Sequence, residues 1–283
     1  SRRNYKKYLF NPEIPQLYSD DTSNLKSIIR SLDAAVDCKN LTILQLKDLQ
    51  YDLLESKKQA ILAEQTAELR DYKQFDDILE VFESVTMRNS YYDRPLMFEW
   101  NVWRAMTVID GGSIHPNLNF DDLGQPLSTA SGNLADIVCD YGSYILNVEV
   151  TLQSGQRQYD NEGEPIARHV GKTKSATGKP TYCFFIAPTV SDAAIAHFFT
   201  LQHTSIRHYG GKAVIIPLEL ETFKKMVLDS KKASYVPEPK HIKAFIDKVI
   251  SLAAEAADEI DWFEKTKWAA LNWLNCSPSN TGV

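Results

Sequence analysis

Two short apolar segments joined by a turn constrain the fold of this chain more than any other feature. They span residues 134–139 and 144–151, and each is rich in β-branched and other apolar side chains. The four residues between them, Asp-Tyr-Gly-Ser, are typical of a tight turn. The three parts together predict a β-hairpin.

The rest of the second half alternates between strand and helix patterns. We predict strands at 182–187 and 213–217, with helices at 192–207 and 219–230. A closing helical pattern at 240–274 carries three tryptophans that we interpret as core residues: Trp262, Trp268 and Trp273. Strands that alternate with helices predict the α/β class.

A helical pattern without glycine or proline covers residues 22–84, ahead of the hairpin. Pro95 favours the start of another helix that continues to Ile109, and the glycine- and proline-rich residues 111–132 predict a loop. We therefore expect a helical linker or subdomain at 1–88 and a second domain at 89–283. Because the chain opens with serine, we expect that a region is missing upstream.

The hairpin carries two acidic residues, Asp136 and Glu149, in otherwise apolar strands. Antiparallel pairing would bring both carboxylates to one end of the sheet, and alternation would place Glu149 and Thr151 on one exposed face. A charge there costs several kcal/mol unless something compensates it. The compensation is either a lysine or arginine partner or a divalent cation, and magnesium held by two carboxylates suits phosphodiester cleavage.

Composition excludes several classes of protein. The net charge of -6 argues against broad nucleic-acid binding by this chain alone, since affinity for DNA comes largely from lysine and arginine. No apolar run reaches the ~20 residues of a membrane span and no signal peptide begins the chain, so we expect a soluble cytoplasmic protein. The four cysteines show no zinc-binding spacing, and Ile166 replaces the first glycine of an ATP-binding loop.

The acid on one strand and the acid on the next resemble the PD-(D/E)xK nuclease core, although Thr151 stands where that pattern has lysine. The stretch 147–159, NVEVTLQSGQRQY, with Gly-Glu-Pro at 163–165 and Arg-His at 168–169, resembles a narrower group. It is similar to the catalytic domain of type IIS restriction endonucleases of the AlwI kind and of the nicking MlyI, PleI and BstNBI group. The resemblance covers about 93–219 and implies a restriction-endonuclease-like core, a mixed central sheet flanked by helices, with an added N-terminal helical segment.

The resemblance also implies a set of site residues. The acidic cluster would consist of Glu99, Asp136, Glu149 and Glu162, with His169 nearby. Mg²⁺, or Mn²⁺ in its place, would be bound by Asp136, Glu149 and Glu99. Glu162 would reach the metal or act as a base, and His169 would contact phosphate or serve only the structure. Basic residues that could follow the DNA backbone are Arg157, Arg168, Lys172, Lys174 and Lys179.

The function implied is a magnesium-dependent DNA endonuclease, the catalytic part of a type IIS restriction enzyme or of a strand-specific nicking enzyme. It would cut double-stranded DNA at a distance from a sequence read by a separate N-terminal region. A second catalytic subunit, either a small subunit or a second copy, would cut the other strand. Two alternatives remain open: a repair or recombination nuclease of the same fold, and an inactive scaffold of that fold that binds protein.

Overall fold

The computed structural model describes residues 41–87, 90–109, 111–121, 124–129 and 134–276. The chain divides into two compact units, Ser1–Gln59 and Ala60–Val283. The part of the predicted N-terminal helical pattern before residue 41, and Cys38 within it, lie outside the described residues. The site described below belongs entirely to the second unit.

Three helices precede the sheet. They are α1 (Ile43–Tyr72), α2 (Phe75–Thr86) and α3 (Arg94–Ile109). The single helical pattern expected for 22–84 is broken at Lys73, whose φ of 47° is left-handed and ends the first helix. Phe82 of α2 packs edge to face against Phe98 of α3, so α2 is part of the core of the second unit. Pro95 is the second residue of α3, as predicted.

The sheet is mixed and confirms the predicted α/β class. The strands of the described residues are β1 (Ser113–Pro116), β2 (Leu118–Phe120), β3 (Pro126–Thr129), β4 (Ile137–Asp140), β5 (Ile145–Val150), β6 (Thr181–Ala187) and β7 (Val214–Glu219). The main sheet has the order β1-β4-β5-β6-β7. Strands β1, β4 and β5 pair antiparallel, whereas β5, β6 and β7 run parallel. The predicted hairpin is therefore β4 and β5.

The loop predicted for 111–132 was wrong in part, because β1, β2 and β3 lie within it. Pro116 ends β1 and Pro126 begins β3, and proline is tolerated at these terminal positions of a strand. Ile114 is buried in the core through the pairing of β1 with β4. The prolines that indicated a loop mark only the ends of these short strands.

Helices cover the sheet in the second half of the chain. They are α4 (Gln156–Thr177), α5 (Asp192–His203), α6 (Leu220–Lys232), α7 (Pro239–Glu255) and α8 (Glu259–Ala270), with short 3-10 helices at Arg207–Tyr209 and Trp273–Asn275. The pattern expected as one stretch at 240–274 is divided, because the Asp258 side chain accepts a hydrogen bond from the Asp261 amide and begins α8.

The core prediction for the closing tryptophans holds for two of the three. Trp262 and Trp273 are fully buried, but Trp268 is 63% exposed, so its assignment to the core was wrong. Cys139 and Cys183 are buried thiols and Cys276 is a partly buried one. Among the described residues, no helix combines the length and the apolar character that a bilayer crossing requires.

Candidate active site

The β4-β5 hairpin brings Asp136 and Glu149 together at one end of the sheet. Ile137 pairs with Val148 in the antiparallel register, so Asp136, one residue before β4, lies opposite Glu149. The Val150 amide donates a 2.8 Å hydrogen bond to Asp136 Oδ2, which fixes this carboxylate against the end of β5. Asp136 therefore precedes the strand rather than lying within it, and the hairpin still delivers both acids to the same place.

The polar face of β5 is covered by α4, which corrects the expected exposure of Glu149 and Thr151. Glu149 is only 5% exposed and Thr151 only 7%. Two alternate residues of β5 contact α4: Asn147 Nδ2 donates to Thr173 Oγ1 at 3.1 Å, and Glu149 Oε1 lies 2.8 Å from His169 Nδ1. Helix α4 follows β5 and packs on this face. The strand that the sequence predicted to be half exposed is therefore buried on both faces.

Thr151 continues this series of contacts at the end of β5. Its hydroxyl lies toward the Glu162 carboxylate, which lowers the pKa of Glu162 against the larger effect of burial, and its Oγ1 accepts the Gln153 amide at 3.1 Å. The Gln153 side-chain amide lies 3.3 Å from Glu162 Oε1, and Asn161 donates to Gln153 Oε1 at 2.6 Å. At the position where the nuclease pattern has lysine, this chain therefore places a hydroxyl beside the Glu162 carboxylate, which the Gln153 side chain also contacts.

A fully buried glutamine holds the loop after β5 in place. Gln158 Nε2 donates to the carbonyls of Gln153 and Thr189, each at 2.9 Å, and its Oε1 accepts the Ser191 amide at 2.8 Å. Sequence reasoning missed Gln153, Asn161 and Gln158. Their only signal was a group of amide side chains around Gly155, the residue directly before α4.

Glu99 of α3 is partly buried and belongs to the same electrostatic group. Burial, followed by the negative charges of Asp136, Asp93 and Glu162, raises the pKa of Glu99 to about 9. Burial and then the charge of Glu149 raise the pKa of Asp136 well above its ordinary value. A carboxylate cluster of this kind repels itself and retains protons unless a cation enters.

The pKa values of Glu149 and Glu162 are raised as well. Burial is the main cause in both, and the charges of Glu162 and Glu99 further raise the pKa of Glu149. Burial, with the positive charges of Arg168 and Lys172, lowers the pKa of His169. These shifts favour an uncharged imidazole beside Glu149, so His169 positions the carboxylate without neutralising the cluster.

The donor set fits a divalent cation. Within the described ranges, no group of three or more His, Cys, Asp or Glu side chains is arranged to hold a metal ion. Mg²⁺ requires less, because it is usually bound by one or two carboxylates and completes its shell with water and substrate phosphate. Asp136 and Glu149 supply two such carboxylates, and burial, followed by the charges of neighbouring carboxylates, raises both of their pKa values.

The basic residues predicted to contact DNA lie on α4 and directly after it. Arg157 and Lys172 are exposed. The other three have protein partners: Arg168 Nε with Glu164 at 3.3 Å, Lys174 Nζ with the carbonyl of Lys212, and Lys179 Nζ with Asp140 at 2.9 Å. Arg157 and Lys172 are thus exposed to solvent, whereas the other three basic side chains also make contacts that stabilise the fold.

Comparisons with known proteins agree with this architecture. A family model described as AlwI restriction endonuclease matches residues 5–226. The small subunit, R.BspD6I2, of the heterodimeric restriction endonuclease R.BspD6I has a similar crystal structure, with a TM-score of 0.54 and 24% sequence identity. The similarity covers 71% of this chain and 96% of that one, and it confirms the fold. No curated protein sequence matches the chain.

Proposed function

Since this chain belongs to the AlwI restriction endonuclease family, we propose that it is a metal-dependent DNA endonuclease, the catalytic part of a type IIS restriction or strand-specific nicking enzyme. The observation that carries the proposal is the register of β4 and β5, which sets Asp136 opposite Glu149. Both carboxylates are held by hydrogen bonds, and both have raised pKa values. A nuclease centre that gathers acids around a cation has these properties.

We propose that Asp136 and Glu149 bind Mg²⁺, with Mn²⁺ able to substitute, and that Glu99, which the described structure does not group with them as a ligand, joins them when the cation is bound. When bound, the cation would offset the carboxylate charge and polarise the scissile phosphate. The pKa of Glu99, raised to about 9, supports its place in this group, since its proton would be displaced as a cation binds.

Glu162 is proposed as the base. Its carboxylate would accept a proton as a water oxygen attacks phosphorus, the bond from phosphorus to the 3′-oxygen would break, and solvent would protonate the leaving oxygen. The products would carry 5′-phosphate and 3′-hydroxyl ends. Thr151 and Gln153 would orient Glu162 through their hydrogen bonds, while His169 would hold Glu149. The hydroxyl of Thr151 thereby takes over a positioning role at the site of the missing lysine.

The substrate proposed is double-stranded DNA, with phosphates contacted by Arg157, Arg168, Lys172 and Lys174. In this proposal, residues 89–283 cut, and residues 1–88 lead from a DNA-recognition region, so that cleavage falls at a distance from the recognised sequence. A single centre cuts one strand, and a second catalytic subunit or a second copy would cut the other. The similar structure of the small subunit of a heterodimeric enzyme supports such an arrangement.

Plasmid cleavage tests the proposal. Supercoiled plasmid with Mg²⁺ should be converted by the wild-type protein to open circles if it nicks, or to linear DNA if it cuts both strands. Glu149→Gln should abolish both products, whereas Asp160→Asn, which changes an exposed carboxylate early in α4, should not. Equal activity of wild type and Glu149→Gln would contradict the assignment.

Metal titration separates a nuclease from an inactive scaffold. Calorimetric titration of the wild-type protein with Mn²⁺ should show binding that Glu149→Ala removes. A scaffold that had lost its chemistry would give no binding heat in either protein and would leave the plasmid uncut.

A further inference from the structure

Acidic side chains are scarce in one segment of this acidic chain, so that its lysines and arginines give it a local positive charge. The chain carries a net charge of -6, yet residues 165–218 contain a single acidic residue, Asp192. The six lysines and arginines of this segment are Arg168, Lys172, Lys174, Lys179, Arg207 and Lys212. The overall acidity therefore hides a local positive region, and local charge determines where a polyanion binds.

The fold brings two distant parts of this segment together. The short helix Arg207–Tyr209 lies against α4 so closely that a Cβ on Gly171 would be 2.8 Å from the Tyr209 Cα. Ile206 and Gly211 close the loop around this helix with two backbone hydrogen bonds of 3.1 Å. Lys174 of α4 donates a hydrogen bond to the carbonyl of Lys212. Residues 206–212, which we call the side loop, are thus fixed to α4.

The side loop presents its charged residues to solvent. Arg207, His208 and Lys212 are exposed, as is Lys172 on α4. One acid lies among them: Glu164 is 3.9 Å from His208 Nε2 and 3.3 Å from Arg168 Nε. In the described part of the chain, no ion pair joins Lys172, Arg207 or Lys212 to an acidic side chain, so these three charges remain available to an external anion.

We propose that the side loop is a second DNA-contact element, in which Arg207 and Lys212, together with Lys172, bind backbone phosphates of duplex DNA beside the scissile bond. The inference rests on the proposed nuclease function and names the protein surface that holds its substrate. Helix α4 connects the two regions, because His169 of the candidate site and Lys172 are only about 4.5 Å apart along the helix axis. Phosphate contacts of this kind position DNA and carry no sequence information.

DNA binding as a function of salt tests the inference. Glu149→Gln, combined with Arg207→Ala and Lys212→Ala, should bind a fluorescent duplex about 10-fold to 100-fold more weakly than Glu149→Gln alone. The slope of log affinity against log salt should become smaller by about 2, because each lost phosphate contact removes about 0.9. Glu149→Gln with Lys47→Ala and Lys232→Ala removes the same charge from two exposed positions elsewhere and should leave the slope unchanged.

The outcomes separate the inference from the function on which it rests. If Glu149→Gln binds DNA and the side-loop variant binds equally, with the same slope, the side loop does not contact DNA and the nuclease proposal stands. If cleavage is absent, or is indifferent to Glu149→Gln, while the side-loop variant still loses affinity and slope, the DNA surface stands and the nuclease assignment is wrong. A protein that binds no DNA overturns both.

Discussion

Glu149 Oε1 and His169 Nδ1 lie 2.8 Å apart, joining the fifth residue of β5 to the middle of α4. This contact connects the acidic hairpin to the helix that also carries Glu162. Both groups are largely buried, because only 7% of the Glu149 side-chain surface and 11% of the His169 side-chain surface is exposed. The orientation of the proposed metal-binding carboxylate therefore depends on a helix residue that follows it by twenty positions in the sequence.

Removal of the imidazole should impair cleavage while leaving the fold intact. We expect His169→Ala to reduce kcat on the order of 100-fold, because Glu149 loses the group that orients it. His169→Asn, whose side-chain amide can reach toward the same carboxylate, should recover part of the loss. His115→Ala changes an exposed histidine of β1 and should retain full activity. Equal activity of His169→Ala and His115→Ala would exclude this positioning role.

The two ends of β4 should respond differently to loss of a carboxylate. Asp136→Asn should abolish plasmid cleavage yet preserve folding, because the amide oxygen can still accept the hydrogen bond from Val150. Asp140→Asn, at the other end, breaks an ion pair with Lys179 and should cost at most about 1 kcal/mol of stability. Its cleavage rate should be that of the wild type. A similar loss of cleavage in both variants would point to a general structural effect.

Substitutions of Thr151 test whether its hydroxyl takes the place of the lysine found at this position in the nuclease pattern. Thr151→Val keeps the shape and removes the hydroxyl that binds Glu162, so we expect a kcat about 10-fold lower, corresponding to about 1.4 kcal/mol, with little change in KM. Thr151→Ser should restore most of the rate. If serine fails to rescue, or if only KM changes, Thr151 does not orient Glu162.

Metal-free protein should become less stable as the pH rises. The pKa of Glu99 moves from an ordinary value of 4.5 to about 9, so between these values the folded state binds more protons than the unfolded state. The free energy of unfolding therefore decreases with rising pH in this window. Asp136 and Glu149 act in the same direction.

Thermal unfolding in the presence of a chelator measures this effect. Tm should be lower at about pH 8 than at about pH 6, and Glu99→Gln should make the difference smaller. Glu255→Gln, at an exposed position of α7, should leave the difference as in the wild type. A stability that increases over this range in the wild type would contradict the electrostatic description of the cluster.

Gly171 allows the side loop to approach α4. Gly171→Ala introduces a Cβ 2.8 Å from the Tyr209 backbone, and such overpacking typically costs about 1–3 kcal/mol, more than the ~1 kcal/mol that alanine gains in a helix. We expect a lower Tm and weaker DNA binding. Gly111→Ala meets nothing within 4 Å and should change neither. An unchanged Tm for Gly171→Ala would mean that the loop can move away freely.

Much of the site could be predicted because its signals are local. The hairpin, the two acids at one end of it and the strands that follow could all be predicted from apolar runs and a turn. The short strands between 111 and 132 were missed because their prolines indicated a loop, and because β1 is stabilised by pairing with β4, which lies farther along the chain. Trp268 was assigned to the core from its residue type, although its exposure depends on which face of α8 packs inward.

The sequence by itself determined the alternation of strands and helices, the acidic hairpin and the family. Only the tertiary structure decided that α4 covers Glu149, that Thr151 and Gln153 fix Glu162, and that Arg207 and Lys212 lie beside α4. The physical reason is the range of the interactions. Turn preference and periodicity act between neighbouring residues, whereas burial, raised pKa values and charge clustering arise only where packing brings distant side chains together.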